Sequence, residues 1–126
     1  MTSLKAINLT QNKVIAETVE VADTAMSRMR GLLGRHSLAD GEGLLITRCN
    51  SIHMFFMRFP IDGIFLDNAD IVVGMVQKIP PFAVSPIFWK ADKVLEVASG
   101  TIERTGTRLG DRIRLASGLS GTSEAR

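Results

Sequence analysis

Seven short stretches rich in Val, Ile and Leu, each closed by turn-forming residues, dominate this chain, at 4–9, 14–21, 44–46, 64–66, 71–76, 94–97 and 112–115. Such runs are too brief for packed helices, and their β-branched content between Gly, Pro, Asn and Asp marks them as strands. Residues 10–13 join the first two as a hairpin, and Asp67, Asn68, Ala69 and Asp70 make a second hairpin connection. Pro80 and Pro81 end a strand, while Gly100, Gly106 and Gly110 punctuate the remainder of the chain. Strands at this spacing predict a compact sandwich or barrel.

One segment reads as a helix. Asp23 or Thr24 can cap it, and Ala25, Met26, Met29, Leu32 and Leu33 recur at the spacing of a single buried face, with Gly34 as a stop. His36, just past it, reads as a surface or capping residue. A helix of about three turns cannot bury itself alone, so it must lie against a sheet. The expected fold is therefore mainly β: a compact β-sandwich or barrel-like domain of short antiparallel strands with one packed α-helix at about 24–34. At 126 residues the chain holds one domain, set at 1–115, and residues 116–126 read as a flexible polar tail.

Hydrophobic residues make up 45% and charged residues 22%, a balance that excludes a chain disordered throughout. A net charge of +2 gives little attraction for nucleic acid. The arginines at 104, 108, 112 and 114 are diluted by Glu103 and Asp111 and lack interleaved aromatics, which favours a solvated face. The single cysteine forbids an intramolecular disulfide, and no apolar run has the length of a signal peptide core or a bilayer span. These features point to a cytoplasmic protein with no membrane and no nucleic-acid partner, and no cofactor is predicted.

Chemistry is concentrated in residues 49–62, which gather the only cysteine, one of two histidines, two of six methionines and three of six phenylalanines. Cys49, His53 and Met57 supply donors that a soft metal prefers. Their spacing of four suits one ion on a helix, but on a strand it separates them by about 13 Å, and the surroundings are β-like. A second reading makes Cys49 a nucleophile, His53 its base and Asp62 the group orienting the ring. A third places Ile52, Met54, Phe55, Phe56, Met57, Phe59 and Ile61 in the core. A strand with one wet side cannot bury all seven. The remainder would form a Met and Phe patch rimmed by Arg48 and Arg58, suited to an apolar or anionic ligand or a partner protein. Trp89 caps the core or lines a pocket, with core the preferred reading.

The order of motifs resembles the bacterial and archaeal family known as domain of unknown function 192, from about Ala22 to Leu115. The resemblance rests on Arg30 through Arg35, on Gly43, Leu44 and Leu45, and on the block from Met57 to Asp67. It continues with Pro80, the run from Val94 to Gly100, and Gly110 with Asp111. The family commonly carries Met where this chain has Leu33, and relatives often bear an export leader not seen here. The resemblance implies a small, mostly β domain with one helix. It supplies no activity, but makes Met57, Asp62, Glu96 and Gly100 a shared functional or structural centre, with Cys49 and His53 in the same block.

The sequence thus predicts a small binding module for an unknown small molecule or protein. Its apolar and acidic site would comprise residues 49–62 with Glu96, and Met57, Asp62, Glu96, His53 and Trp89 would be the contacting residues. The alternative is a thiol- or metal-dependent enzyme using Cys49, His53 and Asp62. The balance leans against an enzyme.

Overall fold

A computed structural model describes residues 3–24, 32 and 35–117. Among these, all seven expected strands are present: β1 Ser3–Asn8, β2 Lys13–Ala22, β3 Glu42–Thr47, β4 Ile61–Leu66, β5 Val72–Ile79, β6 Lys93–Ala98 and β7 Ile113–Ser117. They form one sheet in the order β5-β4-β6-β3-β2-β1-β7. The sheet curls until its edges meet, where Ile71 bridges Arg112, Val72 N–H donates to the Asp111 carbonyl and Ile113 N–H donates to that of Asp70. The domain is therefore barrel-like, with the closure confined to one end of the edge strands.

Two departures from expectation concern direction and extent. β2 and β3 run parallel, while every other strand pair is antiparallel. A parallel pair needs a long crossover, which residues 23–41 supply; the helix expected at about 24–34 falls almost wholly outside the described residues. β7 also extends through residues 116 and 117, where Ala116 pairs with Lys5 and Ser117 with Leu4, so these two residues of the expected tail are strand; the rest of that expectation, 118–126, lies outside the described residues. A short helix, α1 Thr101–Thr105, follows β6. It lies between Gly100 and Gly106, both in left-handed backbone, so these two glycines bound a helix as well as punctuating the chain. No helix among the described residues is long and apolar enough to cross a membrane.

Both faces of the sheet carry a core. Inside the curl, every strand contributes a buried residue: Ala6, Val19, Leu45, Ile64, Val72, Leu95 and Ile113 are examples, and α1 adds Ile102. On the outer face, Leu44, Ile46, Ile61, Phe65 and Val94 meet Ile52, Met54 and Met57 from the loop after β3. All six residues of β4 are consequently buried, including Asp62. A strand buried on both sides loses the wet-face alternation and reads as a nearly unbroken apolar run.

Gly74 of β5 shows how closely the outer layer fits. The Phe88 ring rests where a Cβ would stand and packs on Phe65 with centroids 4.4 Å apart. Gly74→Ala would drive that ring from its seat, and overpacking of this kind costs about 1–3 kcal/mol. A lowered urea unfolding midpoint is expected; an unchanged midpoint would show that Phe88 does not anchor the loop that carries it.

Candidate functional site

Two long connections cover the outer face, residues 48–60 between β3 and β4 and residues 80–92 between β5 and β6. They lie side by side and pair. Phe88 N–H donates to the Asn50 carbonyl (2.8 Å), Ser85 N–H to Ile52 (2.8 Å), Met54 N–H to Ala83 (2.8 Å) and Phe82 N–H to Met54 (2.7 Å). The buried Ser85 hydroxyl accepts from Ile52 N–H at 2.9 Å, and His53 and Val84 form a β-bridge. The product is an irregular ribbon.

Extended pairing sends alternate side chains to opposite sides. Ile52, Met54 and Met57 turn inward with Ser85, whereas His53, Phe55, Phe56, Phe82 and Val84 are exposed, as are Ile87 and Trp89. Phe56 is 77% exposed, Phe82 63% and Trp89 81%. The expectation that Phe55 and Phe56 could be core, and the preference for a core Trp89, are therefore overturned. Among the described residues the two halves of the ribbon leave these side chains no further layer to enter.

The backbone at the ribbon's end is unusual. Phe56 has φ 65° and Phe82 φ 69°. A bulky side chain in left-handed backbone costs roughly 1–2 kcal/mol, yet the conformation occurs at two facing positions. The two rings meet edge to face at 6.3 Å between centroids, and the His53 ring stacks on Phe55 at 5.0 Å. The result is an aromatic crest, with Phe56 and Phe82 at one end and Trp89, beside the Phe88–Asn50 pairing, toward the other. Phe82, Val84 and Ile87 do not stand out in the sequence. The available signal is the apolar run after Pro81, which contains no acid.

The remaining candidates are placed differently. Asp62 is fully buried. Its Oδ1 accepts from Lys78 N–H (2.8 Å), and its Oδ2 accepts from Gly100 N–H (3.2 Å) and Ile102 N–H (2.9 Å). It ties β4 to the left-handed residue Lys78 and to the start of α1, and does not orient the exposed ring of His53. Gly100 thus joins Asp62 through its backbone. The Cys49 thiol donates to the Ser51 carbonyl at 3.0 Å. With His53 outward and Met57 inward, the Cys49, His53 and Met57 donor set is not assembled, nor is a Cys49, His53 and Asp62 triad. Among the described residues no group of three His, Cys, Asp or Glu side chains could hold a metal ion.

Glu96 stands on β6 opposite Leu44 and Gly63, in the apolar layer beneath the ribbon. Burial raises its carboxyl pKa from the ordinary 4.5 to about 7. The site expected to join Glu96 with residues 49–62 is therefore split: the carboxyl lies behind the ribbon, and the crest faces away from it. A folded-state pKa above the unfolded one means that the native protein binds the extra proton, so stability falls as pH rises from about 4.5 to about 7. Full ionisation would cost roughly 3 kcal/mol. Glu96→Gln is expected to flatten this decline in urea unfolding measured from pH 4.5 to pH 8; profiles that fall equally would contradict a raised Glu96.

The curled sheet and its paired loops define a small β domain that displays an aromatic crest. The chain belongs to the family described as uncharacterized ACR, domain of unknown function 192, whose profile matches residues 6–115. It is 35% identical over 111 residues to a UPF0127 protein of Thermococcus sibiricus, covering 85% of this chain and 71% of that one. A protein of unknown function from Novosphingobium aromaticivorans shares the fold with a TM-score of 0.77 at 24% identity, over 89% of this chain and 83% of that one. A candidate transcription regulator of Sinorhizobium meliloti superposes with a TM-score of 0.74 at 25% identity, over 90% and 92% of the respective chains.

Proposed function

We propose that the protein is a binding module whose contact surface is the aromatic crest, with a partner protein as the bound species. The observation that carries this reading is the pair of phenylalanines at 56 and 82, exposed, touching one another and held in left-handed backbone. Backbone strain at exposed, bulky residues contributes nothing to folding, and strain of this kind gathers at ligand clamps and switches. A contiguous exposed apolar patch is likewise a feature of interaction surfaces. An exposed ridge suits the surface of another macromolecule better than a small molecule, which needs enclosure on several sides.

The inward half of the ribbon acts as the support. Ile52, Met54, Met57 and Phe88 fix its height above the sheet, so Met57 serves the surface by packing and Asp62 by bracing the strand ends. Glu96 lies in the same supporting layer. Neither acid contacts the bound species in this reading. A cytoplasmic setting fits a domain that needs no disulfide.

The double substitution Phe56→Gly and Phe82→Gly separates a binding role from a structural one. Glycine adopts positive φ without penalty, so stability in urea is expected to hold or to rise by up to about 1 kcal/mol. The native wild-type protein should bind the apolar anionic dye anilinonaphthalene sulfonate, and the double variant should bind it at least tenfold more weakly. A large loss of stability, or unchanged dye binding, would show that the crest is not a contact surface.

A further inference from the structure

The charge around the crest is one-sided. Residues 48–60 and 80–91 contain no Asp or Glu, whereas Arg48, Arg58 and Lys90 are all exposed there. Among the described residues none of these three cations is ion-paired with a carboxylate. Arg58 instead approaches the His36 ring at 3.2 Å. The neighbouring acids are occupied: Asp62 lies inside on backbone N–H groups, and Asp92 pairs with Lys93. Elsewhere on the surface cations do meet acids, as in Lys5 with Glu17 and Arg35 with Glu42.

Resting on the crest as a contact surface, we propose that it receives an acidic, amphipathic segment of a partner protein, one that presents apolar side chains toward the aromatics and Asp or Glu toward Arg48, Arg58 and Lys90. Unpaired cations beside an apolar stripe steer and orient a segment of opposite charge. The stripe has the right length. From the Asn50–Phe88 pairing to the Met54–Ala83 pairing the ribbon spans roughly 13 Å at strand rise, with the turn that carries Phe56 beyond it, enough for about two to three turns of helix or about four residues of extended chain.

The arrangement of the rings favours a protein segment over a single-stranded nucleic acid. Bases stack on open aromatic faces, but here His53 lies against Phe55, and Phe56 meets Phe82 edge to face. Val84 and Ile87, both exposed between the two ends, offer aliphatic surface that suits side chains and not bases. The stripe also runs along the ribbon's length. A membrane wedge would gather its apolar groups at one tip.

Trp89 is the only tryptophan and is exposed, so its emission reports occupancy directly. Two 14-residue helical peptides with the same Leu face, one carrying Glu and the other Lys on its flanks, would be titrated into the protein at low salt. Phosphatidylglycerol vesicles and a 12-nucleotide oligothymidine would be titrated in parallel. The Glu peptide is expected to shift Trp89 emission to shorter wavelength and to bind at least tenfold more tightly than the Lys peptide. Raising the salt should close that gap, and Arg58→Glu with Lys90→Glu should reverse the preference.

Equal binding of both peptides would overturn the acidic partner while leaving the crest as a contact surface. Response to vesicles or to oligothymidine, with none to the Glu peptide, would replace the partner with a membrane or a nucleic acid. Silence to every probe, together with unchanged dye binding in the Phe56→Gly, Phe82→Gly variant, would remove the crest reading itself.

Discussion

Burial of β4 on both faces governs the architecture of this domain. A curled sheet of seven short strands can enclose one core with its inner surface, but β4, with β6 beside it and β3 beyond, also presents Ile61, Phe65, Val94, Leu44 and Ile46 outward. Leaving that outer face in water would forgo several side chains' worth of hydrophobic stabilisation, each roughly 1.5–3 kcal/mol. A second layer is therefore required. It comes from connections and not from a further sheet, which is why residues 48–60 and 80–92 are long for loops in so small a domain.

A loop that must cover a sheet carries backbone N–H and C=O groups into partly buried territory, and these need partners. The two connections satisfy one another, through Met54 with Ala83 and Phe82, Ile52 with Ser85, and Asn50 with Phe88. Pairing imposes a period of two, and that period has a functional consequence. Whatever presses Ile52 and Met54 onto the sheet turns His53 and Phe55 away from it. The crest is thus the outward side of a covering layer, and its position is set by the same contacts that complete the outer core. The left-handed residues Phe56 and Phe82 add a local cost that the packing of Met57 and the cross-ribbon bonds outweigh.

The fold is largely legible in the sequence because each strand is a compact run of β-branched residues with turn chemistry on both sides. The hairpin at residues 10–13 and the Asp67–Asp70 connection can be read from two or three residues each. The helix α1 is hidden by its five-residue length between two glycines, and the parallel pairing of β2 with β3 leaves no local mark. The site is only half legible. Residues 49–62 stand out by composition, but their division into inward and outward sets depends on pairing with residues some thirty positions away. Trp89 shows the limit most clearly, since a large aromatic after Ile87 and Phe88 has the local pattern of a core residue, and only the fold shows that Phe88 takes the seat on Gly74 while Trp89 is left outside. Asp62 and Glu96 stand out as acids in apolar surroundings, yet sequence cannot distinguish an acid that contacts a ligand from one consumed by backbone donors or submerged in an apolar layer.

The functional reading stands or falls with the separation of the ribbon into a buried side and a displayed side, which paramagnetic relaxation by a soluble gadolinium chelate would resolve residue by residue. In protein labelled at the Met methyl and Phe ring positions, strong relaxation of Phe55, Phe56 and Phe82 is expected, with Met54, Met57 and Phe65 shielded. Equal shielding of Phe56 and Met54 would mean that the crest is folded into the domain, leaving no aromatic surface for a partner to meet.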